Sequence, residues 1–199
     1  MDNLRVQLRA ETRTQHERLH HHFSFERLLA KAISAPDYVI LLKQLLGYHS
    51  ALEACLDGCQ AYGPARDAPF AHKSPRIIAD LKIFEPHFCV ARAPMHAPRA
   101  PLIHSYYDWL GVMYVREGAM LGGRLLAQKL DHLCGIAPAG RTFFQGTRRD
   151  IENWHVLCEA LDRVSSKGGK QQAIGSAKAT FELFESWMDL MEPNALGCV

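Results

Sequence analysis

The sequence predicts an all-α chain: a single-domain helical bundle of about seven helices. Three observations carry this. Apolar residues recur at three- and four-residue steps through long stretches. Strand-like alternation never persists beyond a few residues, and no internal repeat is visible. The breaks between helical stretches fall where proline and glycine gather. With 199 residues, 48% of them hydrophobic, residues 1–199 are read as one domain. A chain of that size buries roughly 70% of its unfolded surface.

The first helix spans Asn3 to His22. Leu4, Leu8, Thr12, Gln15/His16 and Leu19 trace one face, while Arg5, Arg9, Arg13 and Arg18 interleave with acids on the others. His16 and His20 are four apart and share a face. That spacing suits two ligands to one metal, or one ligand and a neighbour. The run His20-His21-His22 also suits a helix C-terminus, where positive charge meets the negative end of the dipole. A short apolar segment, Phe23 to Ile33, leads to Ser34-Ala35-Pro36-Asp37, a turn and helix start. The next helix runs from about Pro36 to Tyr62 on a stripe of Tyr38, Leu41, Leu42, Leu45, Leu46, Leu52 and Leu56, and Gly63-Pro64 stops it. Asp67 to Ser74 is loop. Ser74 as cap and Pro75 at the first position open a helix near Arg76 to Phe84. Glu85 to Pro101 holds four prolines and is a connection.

The long central pattern runs from about Leu102 through His132 and carries Tyr-Val-Arg-Glu-Gly-Ala-Met-Leu-Gly-Gly at Tyr114 to Gly123. Leu110, Met113, Leu121, Leu125 and Leu130 supply its apolar steps. Each of its interior glycines Gly118, Gly122 and Gly123 forgoes roughly 1 kcal/mol of helix stability against alanine. Glycines four apart lie on one face and strip it of side chains, so a second helix or a flat ligand can press against bare backbone. They also permit a kink, and an unkinked helix of that span would run roughly 45 Å, longer than a domain of this size is wide. Gly135 to Gly140 then breaks the chain. Phe143-Phe144-Gln145-Gly146 is a loop with an aromatic pair, and a helix follows from about Arg149 to Val164. Ser165 to Lys170 is a polar, glycine-bearing link. The last helix, about Gln171 to Met191, buries Phe181, Phe184, Trp187, Met188 and Met191.

Composition narrows the function classes. Lys+Arg 23 against Asp+Glu 21 is near balance, and no block of like charge marks nucleic acid as a partner. The amino terminus is charged from Asp2 onward, and no run approaches the roughly 18 apolar residues of a membrane span. Six cysteines lack paired C-x-x-C spacing and read as reduced thiols of a cytoplasmic protein. No nucleophile elbow, phosphate-cradling loop, nicotinamide motif or flavin motif occurs. Glu17 to His20 and Glu152 to His155 both fit Glu-x-x-His, with Glu53 and Glu117 as further carboxylates, so a helical di-iron oxidase is one alternative. A neutral imidazole such as His16 can also be the axial ligand of haem iron, with a glycine helix lying against the porphyrin.

That pair of features matches a known family. Leu8-Arg9-Ala10-Glu11-Thr12 with His16 closely resembles the amino-terminal signature of haem oxygenases. Tyr114 to Gly123 is similar to the distal-helix signature of their bacterial branch. Phe143-Phe144, Trp154 and the stretch from Ala179-Thr180-Phe181 to Trp187 are similar to later landmarks, in order along nearly the whole chain.

The resemblance implies a haem-oxygenase-like bundle in which the ligand is held between the first helix and a kinked glycine-rich helix. It implies His16 as the metal ligand to iron, Gly118, Gly122 and Gly123 as the distal wall, Arg9 on a propionate, and Phe181 at the pocket edge. Gly118, Gly122 and Ala119 would line the reacting side. Animal members have an aspartate where Ala119 stands, and His20 takes a place that is usually acidic.

The implied reaction is cleavage of haem to biliverdin, carbon monoxide and ferrous iron. Haem would be both cofactor and substrate, dioxygen the co-substrate, and a ferredoxin or flavoprotein reductase the electron donor. A bilin-accepting photoreceptor is a candidate recipient of the product. Arg13, Arg18 and Lys129 are candidates for a docking patch. The alternative within the same fold is a haem- or bilin-binding sensor or carrier without turnover.

Overall fold

In the computed structural model, residues 3–59, 71–89 and 99–190 are described, and every regular element among them is a helix. The predicted first helix is two: α1 (Leu4–Glu11) and α2 (Arg13–His20). Asn3 caps α1 by accepting the Arg5 N–H at 2.9 Å. The division falls at Thr12, φ −103° and ψ 7°, whose hydroxyl donates back to the Leu8 carbonyl at 2.7 Å. Such back-bonding bends a helix without ending it. The backbone bonds carry on through the bend, from Thr12 N–H to Leu8 and from His16 N–H to Thr12.

The apolar segment after it forms a helix of its own, α3 (Phe23–Leu29). Ser34 accepts the Asp37 N–H at 3.3 Å and opens α4 (Ala35–Gly58). The expected stop at Gly63-Pro64 and most of the loop from Asp67 lie outside the described residues. In α5 (Ser74–Phe84) Ser74 is not the cap but already helical. Its backbone N–H and hydroxyl both donate to the Glu53 carboxylate, which also takes the Lys73 N–H. A carboxylate from a neighbouring helix thus does the capping, favoured by the helix dipole.

The glycine helix is α6 (Tyr106–Lys129), shorter at both ends than its sequence pattern. Ser105 caps it by accepting the Asp108 N–H at 3.1 Å, so Leu102 to Ser105 stay outside. Its 24 residues run about 36 Å at ~1.5 Å per residue. Two single-turn helices follow, α7 (Asp131–Cys134) and α8 (Thr142–Gln145). The second replaces the loop expected at Phe143–Gly146, because Asp80 accepts the N–H groups of Thr142 and Phe143, each at 2.8 Å. Gly135, Gly140 and Gly146 all have positive φ and end the turns around them. In α9 (Arg148–Asp162), Thr147 and Asp150 form a capping box. The last helix, α10 (Lys167–Leu190), takes in most of the polar link expected to precede it, from Lys167 to Lys170.

The core lies where α6 and α10 run along each other, with α4 and α5 beside them and α8 and α9 closing the far side. Gly111 makes the α6–α10 approach possible: a methyl there would run into the Ala173 carbonyl and the Ala177 backbone. Trp187 ties α10 to α4 by donating its indole N–H to the Gln44 carbonyl at 2.8 Å. Phe181, Trp187 and Met188 are buried as expected, and Phe184 is half-buried. Met191 and Cys198 lie outside the described residues. Two of the apolar steps expected along the central helix are exposed. Leu121 is 58% and Leu125 54% exposed.

Candidate functional site

Leu121 and Leu125 are exposed because of where they sit on α6. Tyr114, Gly118, Gly122 and Leu125 follow one another at three- and four-residue steps, and Leu121 lies three beyond Gly118 and four before Leu125, so the five form a single stripe. The chain packs over other faces of this helix and leaves most of the stripe open. A methyl at Gly122 would meet nothing, and one at Gly118 would meet only the Trp154 ring, at 3.5 Å. Ala119 beside them is exposed. An exposed apolar stripe with its middle reduced to backbone, on the side of α6 left open by the other helices, marks an interaction surface.

Gly123 belongs to a different face. A methyl there would come within 2.7 Å of the Phe144 carbonyl oxygen, so its lack of a side chain lets α8 pack. Gly118 and Gly122 are not spent on packing.

The stripe begins beside the first helix pair. Burial raises the Tyr114 hydroxyl pKa above the usual value, and the nearby Thr12 side chain and the positive charge of Arg9 partly offset the rise. Its ring lies 6.0 Å from that of Trp154. His16 stands one helical turn beyond Thr12, as Gly118 stands one turn beyond Tyr114. Both helices rest on α9 and α10: α1 on both, α2 on α10, and α6 on both.

The His16 ring is exposed, edge-on to buried Phe181 at 6.3 Å and 4.6 Å from the His20 ring. Surrounding protein lowers its pKa first, and the charge of His20 lowers it further. The ring is therefore neutral at physiological pH, with a lone pair available. Arg9 is exposed and makes no ion pair among the described residues. By contrast Arg13 is bound to Glu17 and Arg18 to Glu185, each at 2.7 Å. Two of the three cations expected to form a docking patch are thus already neutralised.

Behind the stripe lies a buried cluster of charges. Glu53, Lys73, Arg116 and Glu117 are all buried. The Arg116 guanidinium donates to the Glu117 carboxylate and, at 2.8 Å, to the Ala71 carbonyl. It lies 3.6 Å from Glu53. Lys73 Nζ donates to the Arg116 carbonyl at 2.7 Å and lies 3.4 Å from Glu117. Burial brings the Lys73 pKa down to about 8. Two cations and two anions cancel, which is what makes such a burial tolerable. The cluster fixes α6 from the side opposite Gly118. Its only sequence signal was the placing of charges, Glu53 and Arg116-Glu117, inside otherwise apolar helices.

That cluster also disposes of the di-iron arrangement. Glu53 and Glu117 are held by cations, Glu17 by Arg13, and Glu152 by Arg148 at 2.9 Å. Among the described residues no group of three or more His, Cys, Asp or Glu side chains could hold a metal ion. No helix among them is long and apolar enough to cross a membrane.

A family model described as heme oxygenase matches residues 2–190. Among solved structures, heme oxygenase from Leptospira interrogans superposes with a TM-score of 0.73 at 15% identity, over 94% of this chain and 98% of that one. Heme oxygenase-1 from the cyanobacterium Synechocystis, solved in complex with heme, superposes with a TM-score of 0.72 at 16% identity, over 97% of this chain and 94% of that one. At such identities the likeness to these structures is one of fold. No curated protein matches the sequence.

Proposed function

The chain belongs to the haem oxygenase family, and from that premise we propose that it is an enzyme that cleaves haem to biliverdin, carbon monoxide and ferrous iron with dioxygen and external electrons. The observation that carries this reading is the open apolar stripe on α6, beginning where Tyr114 meets Thr12, one turn from His16. The residues present fit haem. An accessible neutral imidazole, a glycine-stripped apolar wall and an uncommitted guanidinium are the three things a porphyrin with an iron centre and two propionates needs.

Bound haem supplies both the redox-active iron and the meso carbon that is oxidised. This chain supplies the rest. His16 would hold the iron through an imidazole nitrogen, with the Phe181 ring edge-on to that imidazole at 6.3 Å. Arg9 would pair with a propionate carboxylate, which a guanidinium can hold through two hydrogen bonds. Gly118 and Gly122 would let a flat ring approach the backbone, Leu121 and Leu125 would keep water from it, and Trp154, beside Gly118, would bound the site. Gly123 acts at one remove, by seating α6 on α8. Ala119 carries no group that can transfer a proton, so proton delivery on this face would fall to water. With no nicotinamide or flavin motif in the sequence, the electrons come from a separate donor of the ferredoxin or flavoprotein-reductase kind. A cytoplasmic setting and a bilin-accepting photoreceptor as recipient are consistent with this reading.

The second reading, a haem- or bilin-binding protein without turnover, is favoured by Ala119 itself. One experiment separates the two. The protein is titrated with hemin, then given ascorbate or ferredoxin with its reductase in air, and followed by absorption. Loss of the Soret band with a broad band growing towards the red is the expected outcome. A stable Soret band would leave the binding protein. No Soret shift on titration would remove haem from the account.

A further inference from the structure

His16 and His20 stand together on α2, both exposed, with ring centres 4.6 Å apart and planes tilted by 59°. Neither ring has a hydrogen-bond or ion-pair partner among the described residues. Their neighbours in the histidine run are placed differently. His21 is bound to Glu26 at 3.1 Å, and His22 is buried with Asp189 3.6 Å away. Only the first two imidazoles are both open to solvent and uncommitted.

The spacing of these two rings has a chemical meaning. Imidazole nitrogen binds a divalent transition metal at about 2.0–2.1 Å, and two rings bound side by side on one ion then have centres roughly 4.5–5 Å apart. The observed distance falls there without movement of the helix. Right-angled placement suits the tetragonal ions Ni2+ and Cu2+, which bind imidazole more tightly than the earlier metals of the row.

We propose that, in the haem-free protein, His16 and His20 form a two-imidazole chelate for a divalent ion of the Ni2+ and Cu2+ class. Glu17, the nearest carboxylate in sequence, is held by Arg13, and no third His, Cys, Asp or Glu completes the set among the described residues. Water fills the remaining positions. A second consequence rests on the haem reading above: because His16 is also the residue assigned to iron, the divalent ion and haem exclude each other.

The test uses the full chain, free of haem and of any purification tag, and Ni2+ as the probe, since free thiols reduce Cu2+. Calorimetric titration is expected to give one Ni2+ per chain. The affinity should fall at least tenfold in His20→Ala and in His16→Ala but not in His21→Ala. Unchanged binding in His20→Ala, or no binding by the parent protein, would overturn the chelate. Hemin titration of the same samples separates the two readings. Haem-loaded protein should take up no Ni2+ at this site. If the pair binds Ni2+ and haem binds undisturbed beside it, the chelate stands and the assignment of His16 to iron fails.

Discussion

Gly122 and Gly123 are adjacent and look interchangeable, yet they do opposite work. Gly122 faces open space, whereas a methyl at Gly123 would come within 2.7 Å of a backbone oxygen. Gly122→Ala should therefore keep or raise stability, by up to about 1 kcal/mol through helix propensity, while weakening hemin affinity. Gly123→Ala should destabilise the protein by about 1–3 kcal/mol, because α8 must shift to make room. Urea melts of the two variants with hemin titrations beside them would check this; equal melts would mean that α8 yields freely. For the iron ligand, losing the nitrogen-ligated iron spectrum should require the removal of His16 and of any imidazole able to replace it. His20, at 4.6 Å, is near enough to substitute, so the double variant His16→Ala/His20→Ala is the cleaner comparison. An unaltered spectrum in that variant would place the ligand elsewhere.

Among the elements, several helix ends are fixed from outside the helix they end. Glu53 of α4 caps α5, and Asp80 of α5 holds the start of α8. Glu53 also faces the buried Arg116. Glu53→Gln keeps the shape but leaves that cation short of a counter-charge, and it should cost about 3 kcal/mol, near the low end for breaking a buried pair. Thr147→Ala, which removes a local cap from α9, should cost only about 1 kcal/mol. Denaturant midpoints for the two would test the ranking, and a larger loss at Thr147 would reverse it. The bend at Thr12 is also a device of this scale. It sets α2, and with it His16, at an angle to α1 while α1 stays packed on α9 and α10.

At the level of the whole molecule, stability should depend on pH through His49. This histidine is buried beside the charged cluster, and burial, then Lys73, Arg116 and Arg76, push its pKa well below the usual value. The unfolded chain takes up a proton as the pH falls past about 6.5, while the folded protein does not, so the unfolded state is favoured. Stability should be level above that point on this account and fall below it by up to about 1.4 kcal/mol per pH unit, until the folded pKa is passed. His16 shifts in the same direction but is exposed, so its share is small. His49→Gln should flatten the slope in urea melts between pH 7 and pH 5. An unchanged slope would assign the effect to other groups.

The sequence by itself determined the helical class and the order of the long helices. It could do so because periodicity and turn chemistry are local, so that a few neighbouring residues state them completely. It also led to the family, through two separated motifs in order. Which glycines face open space was decided only by the tertiary structure, because Gly118, Gly122 and Gly123 differ in what lies opposite them and not in themselves. The same holds for Leu121 and Leu125. Their spacing marks a stripe, and only the packing of the other helices decides whether a stripe is core or open wall. Glu53 and Glu117 make the point most sharply. As letters they were candidate metal ligands, and the fold gave them Lys73 and Arg116 as partners, a choice set by long-range approach that no local pattern records.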